Sequence, residues 1–211
     1  FGTNSIKNNF YLKEMKITDT IDENNFINCE EIKLRGKHNY ENIIVCLEIC
    51  KLLKINFRTI KKKLTKIKPL EHRMEFVATN NNIKFINDSK GTNINSTINA
   101  IKSFNNNIVL ILGGYSKGNI QYSHHINSKL KQIKFIICYG QEGKNIYKDL
   151  SGNFKCKYIN DFTKCINYAI KIANKEEIVL MSPACSSFDQ FKSFEERGEK
   201  FKNIVNNYNF S

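Results

Sequence analysis

Four short runs of this 211-residue chain carry side chains able to do chemistry, and three of them directly follow apolar segments of strand length. The first is Asn87-Asp88-Ser89-Lys90-Gly91-Thr92-Asn93. Small polar residues between a strand and a helix present backbone N–H groups to an anion. Lys90 adds a point charge, and Asp88 can accept from a ribose or hold a cation. The same run also reads as an ordinary helix cap, with Asp88, Ser89, Thr92 or Asn93 satisfying the first turn. The second is Leu112-Gly113-Gly114-Tyr115-Ser116-Lys117-Gly118. Paired glycines let a backbone approach a ligand closely, and Lys117 can neutralise a carboxylate or phosphate. It is neither a P-loop nor a dinucleotide fingerprint, and a plain strand-to-helix turn has the same composition.

The third run is the longest, from Ser182-Pro183-Ala184-Cys185-Ser186-Ser187 through Phe188-Asp189-Gln190-Phe191-Lys192-Ser193 to Phe194-Glu195-Glu196-Arg197-Gly198. Ser187 is placed to cap a helix or to grip a carboxylate with its hydroxyl. Phe188, Phe191 and Phe194 recur three apart, as a packing stripe or a ligand wall. Cys185 invites a nucleophile reading, but the nearest histidine in sequence is His125 and no base is evident. The fourth run is Glu71-His72-Arg73-Met74-Glu75, where Arg73 can clamp phosphates across a hinge or form a structural salt bridge.

These runs need a scaffold. Strands are predicted at 74–78 and 83–86, joined by the Asn80-Asn81-Asn82 turn, followed by a helix over 94–104. Then come strand 108–112, helix 121–131, strand 134–138, helix 142–149, a weak strand at 156–159, helix 161–174, strand 177–181 and helix 187–207. Alternation of this kind builds an α/β fold, a mostly parallel sheet flanked by helices. Ligands in such sheets bind beyond the carboxyl ends of the strands, where the first three runs fall. Upstream, short apolar segments at 10–12, 26–27 and 32–34 read as strands. Ile43, Ile44, Leu47 and Leu52 mark one helix and 58–66 a second. Pro69 ends that helix and marks a domain boundary, dividing the chain into 1–68 and 69–211.

Composition narrows the class. Hydrophobic residues make up 41% and charged residues 25%, an ordinary globular balance. No apolar stretch approaches the ~20 residues of a membrane span, and no signal-peptide pattern is visible. The net charge of +13 accompanies a general abundance of Lys, Asn and Ile, so it reads as compositional bias and not as a nucleic-acid site. Seven cysteines without a C-x-x-C pair read as small buried hydrophobes of a reducing compartment.

In this order and spacing the runs H-R-x-E, N-D-S-K-x-T-N, L-G-G-x-x-K and S-P-A-C-x-S-x-D-Q-F-K-x-F-E-x-R-G resemble the C-terminal half of the D-glutamate-adding Mur ligases. Gly36-Lys37-His38-Asn39-Tyr40-Glu41-Asn42 is similar to the G-x-H-N-x-x-N segment that closes the family's central ATPase domain. The resemblance implies that 1–68 is the end of that ATPase domain and that 69–211 is a Rossmann-like, glutamate-binding C-terminal domain. It implies a cytoplasmic, monomeric ligase that joins D-glutamate to UDP-N-acetylmuramoyl-L-alanine in peptidoglycan precursor synthesis, and so serves cell shape and division. ATP and Mg2+ would drive the reaction through an acyl phosphate. By resemblance, Thr92 and Lys117 hold the α-carboxylate of D-glutamate, while Ser187 and the backbone at Phe194 hold its side-chain carboxylate. Lys90 lies near the transferred phosphate as the catalytic lysine, Asp88 near the ribose, Arg73 near the phosphates, and Asn39 and Asn42 beside the adenine. Gly91 stands where the family commonly has alanine, which is expected to loosen the loop. The family's G-T-N-G-K-[ST] loop and magnesium ligands do not occur here, so no metal site is expected in this chain and it is expected not to ligate by itself. A non-catalytic binding domain that keeps the same fold is the alternative.

Overall fold

The structure, a computed structural model, describes residues 9–34, 37–116, 118 and 120–209. The chain divides into two compact units, Phe1–Pro69 and Leu70–Ser211.

In the first unit, strands β1 (Phe10–Lys13), β2 (Lys16–Asp19) and β3 (Phe26–Asn28) form an antiparallel sheet in that order. Glu14 and Met15 join β1 to β2, with φ of 48° and 61°, the left-handed pair that a two-residue hairpin demands. Phe10, Ile17 and Ile27 are buried with Tyr40, Ile43, Ile44 and Leu47 of helix α1 (Lys37–Leu52), and Leu64 of α2 (Phe57–Leu64) completes that core. Asn56 caps α2 by accepting from the Arg58 amide. The strand expected at 32–34 does not form. Asn28 instead caps a 3-10 turn over Cys29–Glu31, Ile32 is buried, and Leu34 packs half-buried against the same core. β2 carries a single inward aliphatic residue, Ile17, too little for an alternation signal.

The second unit is a six-stranded sheet in the order β4-β5-β9-β6-β7-β8. Its strands are β4 (Glu75–Asn80), β5 (Ile83–Asn87), β6 (Ile108–Gly113), β7 (Ile133–Tyr139), β8 (Cys156–Tyr158) and β9 (Ile178–Ala184). β4 runs antiparallel to β5, and every other pairing is parallel. Asn81 and Asn82 supply the left-handed turn between β4 and β5. Central strands are apolar on both sides because helices cover both faces. Leu110, Leu112 and Leu180 pack with residues of α3 (Ile94–Lys102) and α5 (Gly140–Leu150). Val109, Ile111, Val179 and Met181 pack the other way, with α6 (Phe162–Ile172) and α7 (Phe194–Asn207).

Two helices are shorter than their sequence pattern. Between β6 and β7, among the described residues, only Tyr122–His125 (α4) is helical, and Ile126 has left the helical region at φ −99° and ψ 99°. Ile126 and Leu130 are still buried, so the apolar spacing reflects packing of an irregular segment. α7 begins at Phe194, not near 187, because Ser193 caps it by accepting from the Glu196 amide. The Glu196 carboxylate returns the contact at the Lys192 amide, 2.7 Å away, in the manner of a capping box.

Candidate active site

β5, β9 and β6 are adjacent and parallel, so the runs that follow them converge at one end of the sheet. The runs after β6 and β9 are bonded to each other. The Tyr115 amide donates to the Ser186 carbonyl at 2.9 Å, and the Ser186 amide returns a bond to Tyr115 at 3.0 Å. The Ser186 hydroxyl adds a third link to the Tyr115 carbonyl at 2.8 Å. This approach requires Gly114, which sits at φ 125° and whose missing side chain would otherwise overlap the Ser186 carbonyl oxygen.

Beside this seam lies a cleft of about 520 Å3, whose walls include Thr92, Tyr115, Cys185, Ser187, Phe188 and Phe194. The structure therefore brings Thr92, Ser187 and Phe194 together. Lys117 lies outside the described residues, although its neighbours Ser116 and Gly118 line the same cleft. Lys90 is exposed, with its ammonium 5.5 Å from the centroid of the Phe194 ring, and its amide donates to the His72 carbonyl at 2.9 Å. Ser187 is buried and is not the cap of α7, which starts seven residues later. Phe194 is the first residue of α7, so its N–H belongs to the donors that a helix leaves unused at its start. The three phenylalanines form no stripe. Phe188 is 63% exposed, whereas Phe191 packs edge-on against Phe162 at 4.9 Å.

On the other side of the first run, Asp88 turns inward. Its carboxylate accepts from the Ser182 hydroxyl at 2.6 Å and from the Met74 amide at 3.2 Å. Burial pushes this carboxyl up to about 6 from its usual 3.8, against the opposing pull of those two donors and of the Arg73 and Arg197 charges. Arg73 itself is exposed. Asn93 is the residue that caps α3, accepting from the Ser96 amide at 2.9 Å. Cys185 is buried, bonded to the Tyr122 hydroxyl at 3.3 Å, and burial raises its thiol to about 11. That environment suppresses the thiolate and the chemistry that would need it. Asn39 and Asn42 belong to the first turns of α1 in the other unit, the former half-buried and the latter exposed.

Sequence reasoning assigned no role to Arg197, the largest fully buried side chain among the described residues. Its guanidinium donates to the Ser89 hydroxyl at 2.9 Å and to the Ser89 carbonyl at 2.7 Å. It also donates to the carbonyls of Cys185 and Ser186 and to the Tyr139 hydroxyl, at 3.1 to 3.2 Å. One side chain thus ties together the ends of β5, β7 and β9. Its only signal in the sequence was its place near the end of the F-E-x-R-G run that carries the resemblance.

Comparison with known proteins agrees with this architecture. The Mur ligase glutamate ligase domain matches residues 72–185, more than half of the chain. The chain belongs to the Mur ligase family. Among curated relatives, the UDP-N-acetylmuramoylalanine–D-glutamate ligases of Francisella tularensis subsp. tularensis (strain WY96-3418) and subsp. novicida (strain U112) are each 42% identical to it over 177 residues. That match covers 83% of this chain but only 42% of those relatives' length. Among solved structures, the UDP-N-acetylmuramate-alanine ligase of Thermotoga maritima superimposes with a TM-score of 0.67 at 14% identity, over 96% of this chain and 47% of its own. A pseudomurein peptide ligase type C from Methanothermus fervidus gives 0.67 at 16% identity, over 93% and 40%. At those identities the structures speak for the fold alone.

Proposed function

We propose that the chain is the amino-acid-binding part of an ATP-dependent ligase that joins D-glutamate to UDP-N-acetylmuramoyl-L-alanine in the cytoplasm, acting as a monomer in peptidoglycan precursor synthesis. The observation that carries this reading is the meeting of Thr92, Ser187 and Phe194 in one cleft, in a chain 42% identical to proteins named for that reaction. Thr92, with Lys117, holds the α-carboxylate of D-glutamate. Ser187 and the free N–H of Phe194 hold the side-chain carboxylate, where the helix start favours negative charge. Fixing both carboxylates aims the amine at the activated carbonyl, the positioning term that an amide-forming reaction depends on most.

Lys90, exposed beside Phe194, faces the phosphate transferred from ATP, and Arg73 steadies the phosphates. Asp88, turned inward onto Ser182 and the Met74 amide, serves the ribose side through the loop it anchors, and Asn39 and Asn42 serve the adenine. Residues 1–68 are the closing part of the ATPase domain, and 69–211 the glutamate-binding domain. Magnesium supplies charge neutralisation at the phosphates when bound, through ligands expected outside this chain. The cluster of Glu71, His72 and Glu199 does not fit such an ion, because the Lys202 ammonium already sits 2.6 Å from Glu199 and 3.4 Å from the neighbouring Glu75.

The chain alone is expected to bind D-glutamate without turning over. An amide NMR titration with D-glutamate should move resonances of Thr92, Ser187 and Phe194. A phosphate-release assay with both substrates, ATP and magnesium should stay at background. Resonances that shift only elsewhere, or phosphate release by the purified chain, would refute the respective half of this reading.

A further inference from the structure

The segment between β9 and α7, residues 185–193, carries Ser187 and Phe188 into the cleft and delivers Phe194 to its edge, yet it has no regular structure. Its internal support is one tight turn, in which the amides of Gln190 and Phe191 donate to the Ser187 carbonyl at 3.2 and 2.9 Å. Such a turn fixes the curvature of the segment but not its place on the sheet.

Tyr115 and Arg197 hold its first two residues, Cys185 and Ser186; beyond them, two adjacent side chains outside the cleft's walls fix the rest. Asp189 accepts from the Gln141 amide in the first turn of α5 at 3.0 Å. The N-cap residue of α5, Tyr139, makes no side-chain cap bond, so Asp189 fills that role from a distant part of the chain. Room for the carboxylate exists because residue 140 is glycine at φ 71°, and any side chain there would overlap the Asp189 Oδ2. The other oxygen, Oδ1, is buried with no hydrogen-bond partner among the described residues. The positive end of α5 offsets part of the cost of keeping the carboxylate there. Gln190 grips the next helix. Its Oε1 accepts from the Phe162 amide at 3.2 Å, in the first turn of α6, and its Nε2 donates to the Asn160 carbonyl at 2.7 Å.

We infer that Asp189 and Gln190 are positioning residues: they staple the 185–193 segment to the starts of α5 and α6, and through it set the affinity of the cleft for the side-chain carboxylate of an acidic amino acid. This rests on the proposed glutamate-binding reading, and neither residue is among the cleft's walls. Losing a charge-assisted or well-aligned bond that fixes a binding group costs about tenfold in affinity.

The test is calorimetric titration of the whole chain with D-glutamate. Asp189→Ala and Gln190→Ala should each weaken binding about tenfold. Asp189→Asn keeps an acceptor for the Gln141 amide and should restore affinity to within about threefold of the parent. A purely structural role would lower the unfolding midpoint and leave the affinity of the folded fraction intact, so thermal unfolding is measured alongside. Should Asp189→Ala fail to fold, the exposed Gln190 and the Asp189→Asn variant still decide the matter. Parent affinity retained in Gln190→Ala, or an Asp189→Asn variant as weak as Asp189→Ala, overturns the inference alone. A parent chain that does not bind D-glutamate overturns both the inference and the reading beneath it.

Discussion

Arg197 and Ser89 are 108 residues apart in sequence, and the guanidinium of one holds both the hydroxyl and the carbonyl of the other. The Ser89 hydroxyl in turn donates to the Phe194 carbonyl at 2.7 Å. The run that carries Lys90 and Thr92 is thereby fixed to the start of α7. Replacing Arg197 with lysine keeps the charge but cannot serve acceptors at the ends of three strands. Arg197→Lys should destabilise the Leu70–Ser211 unit by about 2–4 kcal/mol in urea unfolding, because buried carbonyls and a hydroxyl lose their donor. A loss within experimental error would mean that the network contributes little.

Asp88 makes stability depend on pH in an unusual direction. Its native carboxyl titrates near 6, above the ordinary 3.8, so between those values the folded chain binds more protons than the unfolded one. The contribution of Asp88 is fully present below about pH 4 and is lost as pH rises through about 6, a change on the order of 2–3 kcal/mol. Asp88→Asn should flatten that part of the profile. Denaturant unfolding of both proteins at pH 4.5 and 7.5, compared by difference to cancel other groups, checks it.

Gly91 makes room for a close contact between two other side chains. A β-carbon there would lie 2.5 Å from the Asp88 Oδ2 and 2.9 Å from the Ser182 hydroxyl, so glycine is what lets these two meet. Gly91→Ala should part that pair and cost about 1–3 kcal/mol. Because the Ser182 hydroxyl holds the Asp88 carboxyl down against burial, its loss should move the Asp88 titration seen by carboxyl NMR further above its usual value. An unchanged titration would show that the pair tolerates the extra methyl.

Thiol reactivity should separate the cysteines by burial. Cys46 is exposed, whereas Cys138, Cys165 and Cys185 are buried with thiols raised by desolvation. At pH 8 a disulfide reagent should modify Cys46 at once and those three only on unfolding. Peptide mapping that found Cys185 labelled as fast as Cys46 would contradict the buried seam between Tyr122 and the cleft.

Much of this was legible because strong apolar runs sit where the topology needs them. Residues 108–112 and 177–181 could hardly be anything but central strands, and the polar runs behind them had to meet at one edge. What was hidden depends on distant partners. Helical spacing at 121–131 was imitated by Ile126 and Leu130 packing from a non-helical segment. The start of α7 was misplaced because Asp189 and Gln190 spend their side chains on other helices. The part that Arg197 plays is invisible until β5, β7 and β9 are seen to end around it. Asp88 reads as a ligand-facing acid, and its inward turn depends on Ser182, 94 residues away.

The most direct test of the central claim is calorimetric titration of the chain with the two enantiomers of glutamate. D-glutamate should bind with one site per chain and L-glutamate at least about tenfold more weakly. Thr92→Val and Ser187→Ala should each reduce D-glutamate affinity about tenfold. Absence of D-glutamate binding, or binding that neither substitution alters, would contradict the assignment of this cleft.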